Sequence, residues 1–290
     1  MSKKHLFVGS IFMCCAFTSQ VIIPEPDTIS LREAIDKKMI SVDATSLGGY
    51  SGECVQLDVV NTSGKKINVV IPSGGVFHPA DEGMQDIFVV TDQVLALQKG
   101  QKLPFKVKGY CCQASDRSPS GGIGFSFEQS SNPALLELAK FMNGKKFSDG
   151  VSQEAVWCVS DGNSVSGIYN EEGSPTNDLR KEVCRITKQK DVWFSKRSNH
   201  TIAEDGFINS DPVSVEGMIE FRTEAPMDIT ALIKSGNGSN DYKLPGSMHV
   251  PRAGKFAYDF NLRVKGWEKG KYEVVINGGD KVLLVQEFEI

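Results

Sequence analysis

The sequence predicts a mainly β protein with a helical subdomain: two β-sandwiches flanking a small α-helical insert. Three observations carry this. Residues 41–112 form short runs of alternating apolar and polar residues, separated by Gly, Pro and Asn turns. Near residue 130 the period changes, and helix-start signals follow at Asn132-Pro133, Ser148 and Pro175. From about residue 206 the period of two returns and lasts to residue 290.

The first element is a leader. In "MSKKHLFVGSIFMCCAFTSQ" two lysines precede an apolar run over residues 6–17, the order expected of a secretory signal peptide spanning 1–18. The run is short for a membrane span. Ala16 and Thr18 supply small residues for cleavage, and a lipid anchor through Cys14 or Cys15 is the alternative. No later stretch offers 18 consecutive apolar residues, so no span is expected once the leader is removed. The expected location is secreted, periplasmic or cell surface.

Pro24 and Pro26 mark a linker, and "SLRE" at 30–33 is a capping box that predicts a short helix over 31–39. The first sandwich follows, within a unit spanning 27–128. "CVQLDVVN" places Val55, Leu57 and Val59 on one face and Cys54, Gln56 and Asp58 on the other. "KKINVVIPSGG" is a strand closed by a turn, and "QDIFVVTDQVLALQKGQKLPFKVKGYCC" holds three more. The outline is Ig-like without the marker tryptophan. The helical subdomain is expected over 129–205, with helices in "SNPALLELAKFMN", "SDGVSQEAVWCVSDG" and "SPTNDLRKEVCRITKQ". The second Ig-like sandwich is expected over 206–290, in "SVEGMIEFRT", "MDITALIKS", "KFAYDFNLRV", "GKYEVVING" and "KVLLVQEFEI".

A net charge of −4, with both signs interspersed, offers no basic footprint for nucleic acid. Of seven cysteines, Cys14 and Cys15 fall in the leader, which leaves five: Cys54, Cys111, Cys112, Cys158 and Cys184. Export permits disulfides, and an odd number leaves one thiol over. Strand parity in "PFKVKGYCC" turns Cys111 inward with Phe105 and Val107, and Cys112 outward with Lys106 and Lys108. Cys54 is expected outward too, so Cys54–Cys112 is the first-choice disulfide and Cys158–Cys184 the second, leaving Cys111 as a buried thiol.

Enzymatic activity is not expected. A cysteine hydrolase built on Cys112 needs an imidazole base, and the mature chain holds only His78, His200 and His249. No protease motif surrounds the doublet, and Asn199-His200 reads as loop. "HPADEGMQD" offers Asp81, Glu82 and Asp86 as calcium candidates, but without EF-hand order an acidic turn is the expectation. No cofactor motif is present. Asn61, Asn199 and Asn237 each head an N-x-S/T triplet.

"SQEAVW" at 152–157 resembles the Gln-x-Ala-Φ-Trp helix motif of bacterial surface thioester domains. That resemblance implies a β-sandwich joined to a helical subdomain, and an acyl bond between Gln153 and Cys112 or Cys111 that captures amines on a host surface. "GGYSGECVQL", "QDIFVV", "GYCCQAS" and "QEAVWCVSD" are similar to segments of a class of exported bacterial proteins. "KFAYDFNL" and "GKYEVVINGGDKVLLVQEF" resemble C-terminal Ig-like modules, including sorting domains of type IX secretion, although this chain ends acidic at Glu287 and Glu289. The expected function is binding or adhesion at the cell envelope, to a protein or glycan ligand.

Overall fold

The structure is a computed structural model that describes residues 27–169, 176–236, 241–244 and 246–290. The expected leader, Pro175 and Asn237 lie outside the described residues. The chain is mainly β, with several sheets and four α-helices among the described residues.

The N-terminal half comprises β1 (Asp27–Ser30), α1 (Leu31–Asp36), β2 (Ile40–Ser46), β3 (Ser51–Asn61), β4 (Ile67–Ile71), β5 (Gly75–Pro79), β6 (Ile87–Phe88), β7 (Gln93–Leu97), β8 (Lys102–Cys111) and β9 (Phe125–Gln129). Strands β1-β4-β7 form one sheet, and β2-β3-β8-β6-β5-β9 form a second of six strands. The second sheet curls back on itself: Ser46 N–H donates to Ile123 C=O (2.7 Å), next to an isolated bridge between Thr45 and Gly124. Alternation works as the sequence predicts. Val55, Leu57, Val59 and Val107 from the large sheet meet Ile67, Val69, Leu95 and Leu97 from the small one in a single apolar core. Helix α1 adds Leu31 and Ala34 to this core. It ends at Asp36, short of the expected 39, and Ser30 Oγ accepts from Glu33 N–H as its N-cap.

Three helices cover the other face of the large sheet: α2 (Pro133–Met142), α3 (Asp149–Ser160) and α4 (Thr176–Thr187). A 3-10 turn at Val165–Gly167 lies between α3 and α4. The predicted caps act as predicted, with Asn132 Oδ1 accepting from Ala134 and Leu135 N–H, and Ser148 Oγ from Val151 N–H. Leu135, Leu138, Met142, Val151, Val156 and Val183 bury a second core against Phe88, Tyr110 and Cys112. The strand end that carries the cysteine doublet is therefore covered on both faces.

The remaining strands are β10 (Phe194–Ile202), β11 (Ile208–Thr223), β12 (Met227–Ser235), β13 (Asp241–Lys243), β14 (Met248–Val250), β15 (Gly254–Arg263), β16 (Lys271–Gly278) and β17 (Lys281–Glu289). Sheet β10-β11-β15 and sheet β13-β12-β16-β17, with β14 against β12, enclose a third core around Val215, Ile219, Phe260, Ile233, Val274 and Phe288. This corrects the expected boundary. Residues 194–202 are not part of the helical stretch to 205 but an edge strand of the C-terminal region. "FSKRSNHTI" is polar enough to read as loop because β10 pairs on one side only, with β11. A register shift between Arg197 and Ser198 accommodates Pro212, which has no N–H to donate.

Buried Arg180 fastens α4 to the start of β10. Its guanidinium donates to Asp191 Oδ1 (2.6 Å), Ser195 Oγ (2.6 Å), Val192 C=O (2.8 Å) and Phe194 C=O (2.8 Å).

Candidate functional site

The doublet divides between two cores. Cys111 belongs to the core between the two N-terminal sheets, and Cys112 to the core under the helices. The alternation of β8 decides this. Cys54 departs from its expected place. Glu53 pairs with Lys108 and Val55 with Val107, so Cys54 has no partner in the register and forms a bulge. A bulge breaks alternation, and Cys54 turns into the same core as Val55 and Cys111. The Cys54–Cys112 disulfide expected from parity is thus corrected: a bridge would have to cross the sheet. Cys158 and Cys184 both pack on the helical core but remain thiols, and all five cysteines are free in the structure.

Gln153 occupies the centre of the site. It is 1% exposed, where a solvated helix residue would be open. The helix brings its amide against the end of β8, beyond the point where β3 begins at Ser51. There Gln153 Nε2 donates to Cys111 C=O (2.7 Å), and Gln153 Oε1 accepts from Cys111 N–H (3.0 Å). The same N–H also donates to Tyr50 C=O (2.9 Å). The side-chain amide thus serves as one further rung of the sheet, against the Cys111 backbone. Cys112 N–H is taken by Asp86 C=O (2.9 Å).

An aromatic cluster is built from the same helix. Trp157 lies one turn after Gln153 on the same helix face. Its ring stacks on Tyr50 at 5.9 Å and meets His200 edge-on at 5.2 Å, while Tyr50 and His200 are 5.8 Å apart. His200 comes from β10, and its Nε2 is 2.7 Å from Glu154 Oε1. These side chains are 13% and 15% exposed. Gly167 leaves room for the pair, since a β-carbon there would collide with the Glu154 carboxylate. His200 Nδ1 and Trp157 Nε1 are both buried without a hydrogen-bond partner among the described residues. Both residues line a cleft of about 280 Å³ shared with Lys196, Ser166 and Glu289. A second cleft, of about 370 Å³, is also lined by Glu154 and His200.

Burial raises the thiols of Cys111, Cys112 and Cys158 and pushes Cys54 up to about 12. These thiols therefore hold their protons to higher pH than a free cysteine does. Each described imidazole is bonded to a carboxylate: His78 to Asp86 (2.8 Å), His200 to Glu154, and His249 to Asp228 (2.8 Å). Among the described residues the cysteine sulfurs that hydrogen-bond do so to Gly109 and Ser164 carbonyls, and none is bonded to an imidazole. Tyr50 is raised by burial first, then by Glu154 and Cys111, which places its hydroxyl in the field of both.

The calcium candidates do not converge. Asp81 accepts from Gly83 N–H and pairs with Arg117 (3.5 Å), Asp86 is held by His78 and Gln113, and Glu82 is exposed. Among the described residues no three His, Cys, Asp or Glu side chains are grouped to hold a metal. Asn61 is buried, its amide nitrogen donating to Lys65, Leu97 and Gln98 carbonyls, so that triplet clamps a turn and presents no acceptor for sugar. Gln153 and the doublet were readable from the sequence as candidates. Tyr50, Glu154 and Gly167 were missed, and His200 was weighed only as a possible base in a loop, whereas it lies on β10; no local pattern links residues that meet only through docking of α3 and β10.

No family model matches the chain, and no curated protein matches it. Two solved structures of a beta-glucosidase from Kluyveromyces marxianus, one of them in complex with glucose, align at 10% identity with TM-scores of 0.23 and 0.22. Each alignment covers 81% of this chain and 44% of that chain, so the chain spans less than half the enzyme's length. At that similarity neither fold nor activity transfers. Among the described residues no helix is long and apolar enough to cross a membrane.

Proposed function

We propose that this chain is an exported adhesion protein of the cell envelope whose cysteine doublet and Gln153 form an amine-reactive thioester. In this reading two Ig-like sandwiches flank the helical insert, and the C-terminal sandwich acts as a spacer or sorting module. One observation carries the proposal: the Gln153 amide is buried and bonded at both ends to the backbone of Cys111. The helix motif "SQEAVW" thus lies against the Cys111 backbone, which supports the reading. The N–H bonded to Oε1 polarises the carbonyl, as an oxyanion-hole donor does. Attack of a doublet sulfur on Cδ forms the C–S bond and breaks the C–N bond. The thiol proton leaves with the amide nitrogen as ammonia, so no oxidant is needed. Cys112 is the favoured sulfur because it shares the α3-facing core, and Cys111 is the alternative. The partner class is a protein surface bearing lysine amines.

Intact-mass measurement of the full chain tests this. The expected result is a deficit of about 17 Da for lost ammonia, with about 31 Da gained on methylamine treatment, whereas a disulfide removes only about 2 Da. The deficit should vanish in Gln153→Ala and in one of Cys111→Ala or Cys112→Ala. A full-mass protein inert to methylamine would refute the thioester. It would leave Gln153 as a structural rung in a non-covalent binder of protein or glycan.

A further inference from the structure

A cleft of about 400 Å³ opens where the connection between α2 and α3 passes Lys108 and Tyr110 of β8. That volume lies at the lower end of the range for small-molecule sites. Its lining holds none of Gln153, Cys111 and Cys112, so it is separate from the contact described above. Val90, Met142, Phe147 and the Tyr110 ring give it an apolar wall. Three lysines also line it, Lys108, Lys145 and Lys146, against one carboxylate, Asp149. Asp149 is already matched: it accepts from the Tyr110 hydroxyl (3.0 Å) and lies 3.6 Å from Lys108 Nζ. Lys145 sits over the Phe141 ring, 3.1 Å from its centroid. Glu182 on α4 feels the Lys145 charge but is bonded to Arg185 (2.8 Å). Lys146 makes no ion pair or hydrogen bond among the described residues. Two cations thus stand beside apolar surface with no bonded anion.

Paired side-chain bonds hold the rims. The Asn143 amide fastens the end of α2 to the loop between β6 and β7: Oδ1 accepts from Asp92 N–H (3.0 Å), and Nδ2 donates to Asp92 Oδ2 (3.0 Å). Gln93 in β7 is fixed in the same way, with Nε2 donating to Lys108 C=O (2.8 Å) and Oε1 accepting from Lys108 N–H (2.9 Å). Gly144, at φ 75°, takes the left-handed turn that ends α2 and leads into Lys145. The cleft is therefore formed before a ligand arrives, which lowers the cost of binding.

We propose that this cleft binds a small organic carboxylate with an aromatic or aliphatic body. The ammonium groups of Lys145 and Lys146 take the carboxylate, and Val90, Met142 and Phe147 receive the body. A neutral ligand leaves both charges unanswered, and a cation is repelled by them. An inorganic anion answers the charges but buries no apolar surface. The binding is reversible and does not depend on the thioester.

Isothermal titration calorimetry of the full chain with naphthoate tests this, beside neutral naphthalenemethanol and inorganic phosphate. The expected result is saturable one-to-one binding of naphthoate with a Kd below about 1 mM, weakened by added salt, and at least about tenfold weaker binding of the alcohol and of phosphate. Lys145→Gln combined with Lys146→Gln should weaken naphthoate about tenfold and leave the alcohol unchanged. Phe147→Ala should weaken both. The urea midpoint of each variant reports that it has folded. Equal binding of naphthoate and the alcohol overturns the role of the lysines, and equal binding of naphthoate and phosphate overturns the role of the apolar wall. Wild-type affinity for naphthoate in the folded double-lysine variant places the ligand elsewhere and overturns the assignment. No saturable binding up to about 10 mM overturns the site altogether.

Discussion

Gln153→Ala removes the rung that joins α3 to β8, and its cost can be worked from the contacts. Two hydrogen bonds, of 2.7 and 3.0 Å, are lost. Each is worth about 1 kcal/mol net. Cys111 N–H keeps Tyr50 C=O as a partner, but Cys111 C=O loses the Nε2 donor in a buried setting. An unsatisfied buried group costs about 1–3 kcal/mol. The sum is about 3–5 kcal/mol, before any cavity left by the missing side chain. Urea denaturation followed by tryptophan fluorescence, compared between Gln153→Ala and wild type carrying its free amide, should show a loss of that size. A loss under about 1 kcal/mol would mean that the rung contributes nothing beyond what solvent supplies. The account of the Gln153 contact would then fail.

Three further outcomes follow from other contacts. Arg180→Lys should cost about 3 kcal/mol in the same denaturation assay, because an ammonium cannot reproduce four bonds from one planar fork and leaves Phe194 C=O unpaired; an unchanged midpoint would refute the anchoring of α4 to β10. Stability should fall at alkaline pH. An unfolded thiol ionises near its ordinary value of about 8.5, whereas Cys54 holds its proton to about 12 and burial also raises Cys111, Cys112 and Cys158. The folded state therefore binds more protons above that ordinary value, and stability present below it is lost as pH rises. One pH unit above it, the loss is about 1.4 kcal/mol for each thiol, on the order of 5 kcal/mol for four and one thiol's share less if a thioester has formed; paired urea titrations at neutral and alkaline pH measure it. Gly167→Ala should cost under about 1 kcal/mol, since the Glu154 carboxylate can swing aside. The same urea titration measures it, and a loss well above that would mean the carboxylate is held in place by His200.

Local periodicity and capping determined much of this protein. The alternation of "PFKVKGYCC" placed Cys111 inward and Cys112 under whatever covers the sheet, and the cores show them so. Asn132 and Ser148 marked two helix starts for the same reason, since a cap is made by residues two or three apart. The sequence also singled out Gln153, through its motif, without showing what its amide touches. Only the tertiary structure decided the rest. A bulge shifted Cys54 to the opposite face, because one unpaired residue inverts parity and leaves no mark in composition. Gln153 reached Cys111 across 42 positions, and Glu154 reached His200 across 46. Those contacts arise when preformed helices and strands dock, so they depend on the shapes of whole faces, while a local pattern records only the residue's own element.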